Sequence, residues 1–124
     1  MELLQLSNKL LIFATKRNRG MINDKQIRKM IGDSVHTTDP SAEVILFGSR
    51  ARGDARADSD WDVLIIVNTP KVTDKQFETL NYQLWLKGLE FGQEINPIIY
   101  TRTQWEDSNP SLFKYNIREE GIRL

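Results

Sequence analysis

Helical stretches alternating with three short apolar runs predict an α/β or α+β domain whose sheet is covered on one face by helices. The runs are Glu43–Phe47, Asp62–Val67 and Glu94–Tyr100. Two of the intervening stretches open with side-chain caps, and a length of 124 residues leaves room for one hydrophobic core. A chain this long buries roughly 65–70 % of its unfolded surface and folds without covalent staples. It contains no cysteine, so neither disulfides nor thiolate metal sites are available.

Taken in order, residues 1–20 place Leu3, Leu6, Leu10 and Phe13 at the three- and four-residue spacing of an amphipathic helix. Lys16-Arg17-Asn18-Arg19-Gly20 would close it with cations and a glycine. The basic residues follow the apolar run rather than precede it, which argues against a secretory signal. Because Met21 directly precedes a well-capped helix, residues 1–20 are read as an N-terminal helical extension and residues 21–124 as the domain proper.

That second helix has Asn23 as its cap and Gln26 as the reciprocal partner, with Ile22 against Ile27 as a staple. Ile27, Met30 and Ile31 form its buried stripe. Asp39-Pro40-Ser41 breaks the pattern before the first strand. The second strand is apolar on both faces, as a covered central strand is. Thr73 and Gln76 then cap a third helix, stapled by Val72 and Phe77. Phe77, Leu80, Leu84 and Trp85 are expected on its inner face, with Gly88 or Gly92 as its end.

Pro97 removes a ladder donor from the third strand and assigns it to an edge or a bulge. Thr103-Gln104-Trp105-Glu106 reads as another capping box. Asn109-Pro110 opens a last helix, with Phe113 and Ile117 buried and Gly121-Ile122 as its carboxyl-terminal cap.

Seventeen basic residues balance seventeen acidic ones. Sequence-independent nucleic-acid binding leans on a basic excess, so nucleic acid is not an expected partner. No apolar run approaches the ~20 residues that span a bilayer. With no cysteine, these features suit a soluble cytoplasmic protein. His36 reads as a surface residue, and without a second histidine Ser49 is no triad nucleophile.

The chemistry lies between the first two strands. Gly48-Ser49 ends the first apolar run, and after ten residues Asp60-Trp61-Asp62 opens the second. Strand side chains alternate, so Asp60 and Asp62 share a side, about 7 Å apart along the backbone. Two carboxylates at ~4 Å repel by about 4 kcal/mol at an effective dielectric near 20, and a divalent cation reverses that sign. Magnesium favours carboxylate and phosphate oxygens with retained waters. Gly48 permits close backbone approach to a phosphate, Ser49 adds a hydroxyl, and Arg50 and Arg52 are placed to steady phosphate charge. Taken singly, each of these residues fits an ordinary turn or solvated loop; their conjunction carries the signal.

That conjunction, Leu46-Phe47-Gly48-Ser49-Arg50-Ala51-Arg52-Gly53 followed by Ser59-Asp60-Trp61-Asp62-Val63-Leu64-Ile65, closely resembles the DNA polymerase beta-like nucleotidyltransferases. The resemblance is closest to their small bacterial members, the minimal nucleotidyltransferases. It implies a nucleotidyltransferase fold with a small mixed sheet over residues 21–124, and metal-dependent transfer of a nucleoside monophosphate, AMP from ATP. By the same resemblance Gly48 and Ser49, with Arg50, Arg52 and Ser59 beside them, hold the triphosphate. Asp60 and Asp62 bind two Mg2+ ions. The family usually supplies a third carboxylate from a later strand. Here that stretch offers Glu94 and Asn96, with Asn96 in the best register and Glu94 one pleat away, so the third ligand stays open between them.

Small members of this kind commonly pair with a helical toxin of the HEPN class. The resemblance therefore implies an antitoxin that nucleotidylates a hydroxyl on such a partner and forms a hetero- or homo-oligomer. Two alternatives are an aminoglycoside-type transferase acting on a small-molecule hydroxyl, and a nucleotide-binding antitoxin that acts by contact alone.

Overall fold

A computed structural model describes residues 22–124, so the helix expected over residues 1–20 lies outside the described residues. The described chain runs α1 (Asp24–Thr38), β1 (Glu43–Phe47), α2 (Ser49–Arg52), β2 (Trp61–Val67), α3 (Asp74–Phe91), β3 (Ile95–Thr101), α4 (Arg102–Asp107), α5 (Leu112–Glu120) and β4 (Ile122–Arg123). The strands form one mixed sheet in the order β3-β2-β1-β4. β1 is antiparallel to both β2 and β4, whereas β2 and β3 are parallel.

The helices start where their caps dictate. Asn23 accepts from the Gln26 amide, Thr73 from that of Gln76, and both glutamines return the bond to the cap backbone. Each reciprocal pair satisfies two amides that have no acceptor within the helix. Gly92 ends α3 in the left-handed region at φ 68°. β3 lies at the sheet edge, where Pro97 costs no ladder bond on its open side.

The sheet buries both faces to different extents. On one, Val44, Leu46, Val63, Ile65 and Val67 meet Ile27, Ile31 and Val35 of α1 and Leu80 and Leu84 of α3. On the other, Leu64 and Ile66 pack with Ile117, Trp105 and Phe113 under the short helices α4 and α5. The second cover corrects the one-sided expectation. It follows from β2 itself, whose inner residues are apolar in both directions and gain about 1.5–3 kcal/mol each from full burial.

Other details differ from the sequence reading. Phe77 and Trp85 are exposed, because the stripe of α3 that meets the core is Leu80, Leu84 and Gly88. A Cβ on Gly88 would stand 2.6 Å from the Gln93 carbonyl and 3.3 Å from Ile95, so glycine lets the chain fold back closely against the end of α3. The fourth helix is capped by Thr101 with Gln104, not by Thr103, and the fifth by Ser111 rather than Asn109. Gly121 caps the fifth helix as expected, its amide donating to the Ile117 carbonyl, but in an extended conformation that delivers Ile122–Arg123 to β1 as an edge strand. Any side chain there would collide with the Ile117 carbonyl and with Ile45.

Candidate active site

The site begins where β1 runs out. Gly48 takes φ 73°, ψ −158°, which turns the chain straight into α2 at Ser49. This backbone conformation is open to glycine and strained for other residues. Antiparallel pairing sets Phe47 opposite Asp62, so the turn lies beside the first residues of β2. The approach is tight: a Cβ on Gly48 would stand 2.5 Å from Asp62 Oδ2. Glycine is therefore required twice, for the turn and to make room for the carboxylate.

Parallel pairing on the other side of β2 sets Asp62 opposite Asn96. Asn96 Nδ2 donates to Asp60 Oδ2 at 3.0 Å. The structure thus gathers Gly48, Asp60, Asp62 and Asn96 at one end of the sheet. Burial pushes the Asp62 carboxyl above the ordinary carboxylate range; the Asn96 amide and Arg52 oppose the shift, and the Asp60 charge adds to it. No arginine or lysine among the described residues forms an ion pair with either aspartate. The two acids thus stand together without an ion-pair partner among the described residues, with Asp62 against the glycine turn.

Glu94 is placed differently. It precedes β3, and its carbonyl accepts from the Trp61 amide at 2.9 Å. Among the described residues no third His, Cys, Asp or Glu joins Asp60 and Asp62 in a group able to hold a metal ion. Of the two residues left open for the third position, Asn96 is the one brought against the aspartates.

The arginines separate as well. Arg50 is buried, with its guanidinium 4.6 Å from the centre of the Trp61 ring. It donates to the carbonyls of Ala57 (3.2 Å) and Ser59 (2.9 Å). Trp61 alternates with Asp60 and Asp62, so Arg50 works from the opposite face and ties down the loop that leads into β2. Its guanidinium is engaged by the loop and by Trp61 in this structure. Neither its exposure nor its partner was legible from neighbouring residues; the Trp between the two acids was the available clue.

Arg52 keeps a solvent-facing position, between Asp54 (3.2 Å) and Glu120 (3.5 Å), and is the cation whose field reaches Asp62. Ser59 accepts from the Arg56 amide through its hydroxyl and serves the loop. Ser49 opens α2, where its carbonyl takes the amides of Gly53 and Asp54.

A cavity of about 640 Å³ lies elsewhere, between α4, α5 and the β1–β4 edge. Among the described residues Glu43 is the one acid in its lining, so paired-carboxylate chemistry belongs to the glycine turn and not to this cavity. No helix among the described residues is long and apolar enough to cross a membrane.

No curated protein matches the chain. Residues 27–124, most of its length and the whole of the sheet, match the family model described as a nucleotidyltransferase domain. The chain belongs to the nucleotidyltransferase domain family.

Proposed function

We propose that the protein transfers a nucleoside monophosphate, AMP from ATP, to a hydroxyl on a partner protein, and that this partner is a helical toxin of the HEPN class for which the chain is the antitoxin. The carrying observation is the apposition of Asp62 Oδ2 to Gly48, which faces carboxylate oxygens toward a turn that only a residue without a side chain can form. The choice of a protein acceptor and of ATP rests on the resemblance to the minimal nucleotidyltransferases.

The family typically uses a divalent metal, and the residues present fit one. Asp60 and Asp62 offer hard oxygen donors that form no ion pair with a cation among the described residues, beside a turn open to phosphate. Bound there, a divalent ion supplies charge neutralisation at the phosphates and at the departing pyrophosphate. The chain does the rest by placement. Gly48 and the first-turn amides of α2 at Ser49 and Arg50 meet the phosphate oxygens, and the Ser49 hydroxyl adds a donor. Arg52 swings from Asp54 and Glu120 toward the same charge.

In the transfer, an acceptor oxygen bonds to the α-phosphorus as the bond from that phosphorus to the pyrophosphate oxygen breaks. Asp60 and Asp62 are the groups at this place that can receive the hydroxyl proton. Asn96 cannot.

The test is incubation of the chain and its co-expressed partner with α-labelled ATP and magnesium. Label should appear on the partner and fall at least about a hundredfold with Asp62→Asn, the scale on which loss of one electrostatic stabiliser acts. A second reading, neutralisation by contact alone, is favoured by the neutral Asn96 beside the pair. Tight complex formation without transfer, unchanged by Asp60→Asn and Asp62→Asn, would select it.

A further inference from the structure

We infer that this site holds one divalent ion with its nucleotide, not two, and that Asn96 is the residue that sets the number. The inference rests on the nucleotidyl-transfer reading and deepens it.

Two ions about 3.5–4 Å apart bring four positive charges into a space a few ångströms wide. Phosphate oxygens answer part of that charge, and protein carboxylates must bridge or flank the remainder. Here the protein supplies two carboxylates, and no third acidic or imidazole ligand joins them among the described residues. The neighbour of Asp62 on the adjoining strand is Asn96, whose amide nitrogen points its hydrogens at Asp60 Oδ2 from 3.0 Å.

That hydrogen bond has two consequences. It takes up one of the four carboxylate oxygens of the pair, and it presents a donor where a further ligand would be needed. Turning the amide over exposes a neutral oxygen, which adds no charge against a second cation. The first ion has both carboxylates and the phosphates to itself. The second has an amide.

Glu94 does not remove the deficit. It lies ahead of β3, with its backbone engaged by Trp61, and it is not gathered with the aspartates.

The test counts ions directly. Mn2+, which shares the preference of magnesium for carboxylate and water ligands, is titrated into the chain with α,β-methylene ATP, and binding is followed by electron paramagnetic resonance. The wild type should bind one Mn2+ per chain with the spectrum of an isolated ion. Asn96→Asp should bind two, with the broadened spectrum of a spin-coupled pair. Asn96→Ala should stay at one, which separates a missing charge from a general loosening of the site.

Two coupled ions in the wild type would overturn the inference, and if Glu94→Gln then returned the count to one, Glu94 would be the third ligand. A count of one in Asn96→Asp, with the fold intact by circular dichroism, would overturn it too. Failure of the wild type to bind either Mn2+ or the analogue would instead defeat the nucleotidyl-transfer reading on which the inference stands.

Discussion

The two ends of β1 handle carboxylates in opposite ways. At its start, Glu43 lies between two guanidiniums, Arg102 at 2.8 Å and Arg123 at 2.7 Å. The hydrogen bond from Arg102, helped by Arg123, holds its carboxyl below the ordinary range against the cost of burial. At its far end, Asp62 is half-buried against a glycine with Asp60 beside it and an amide as its nearest help. One place spends its charges on joining β1 to β4 and to α4. The other leaves its charges unanswered, which a folding argument alone does not explain and a cationic ligand does.

This contrast can be broken most forcefully at Arg50. Arg50→Ala should cost about 2 kcal/mol, because the carbonyls of Ala57 and Ser59 lose their donors and the space over Trp61 empties. Arg50→Lys should restore less than half of that, since an ammonium cannot fork or stack as a guanidinium does. Urea unfolding would measure both. If Arg50→Ala left stability unchanged while weakening nucleotide binding, the arginine would belong to the phosphates and not to the loop.

At the satisfied end, Glu43→Gln should cost about 1 kcal/mol at neutral pH, a modest figure because Arg123 is largely exposed. The sign with pH follows from the lowered carboxyl. Its contribution is complete above the unfolded-state value and fades as pH falls through the folded-state value. Wild type and variant should therefore converge in acid. A difference that persists below the carboxylate range would mean that the glutamate acts through packing.

At the unsatisfied end, the effect is smaller and reversed. Asp62 has its proton affinity raised by folding, so the ionised group costs stability, and the cost grows as pH rises through the folded-state value. Asp62→Asn without metal should melt roughly 1–3 °C higher than the wild type at neutral pH and equal to it in acid.

Much of the fold was legible because its signals are local. A cap and its partner three residues on are fixed by helix geometry, so Asn23 with Gln26 and Thr73 with Gln76 could be read directly. The same rule was ambiguous near Thr101. Two overlapping boxes compete there, and where β3 ends on its neighbour chose between them. The two-residue β4 carries no period of its own and exists because Gly121 lets the chain approach β1.

The site divides along the same line. Gly48 follows β1 and Asp60 and Asp62 flank the first residue of β2, so their meeting is implied by a short antiparallel connection. Whether Glu94 or Asn96 completes the group depends on the parallel register of β3 against β2, which is set across a helix of eighteen residues. Arg50 looked like a surface charge because what buries it, Trp61, is eleven positions away and points off the site face.

The most direct measurement is the melting temperature of the wild type and of Asp62→Asn, each with and without magnesium and ATP at neutral pH. The wild type should rise by several degrees, as about 2.7 kcal/mol of linkage at a hundredfold excess over the dissociation constant requires. The variant should start higher and not respond. A variant that starts lower than the wild type, or that gains as much from the nucleotide, would contradict the claim that these paired acids await a cation.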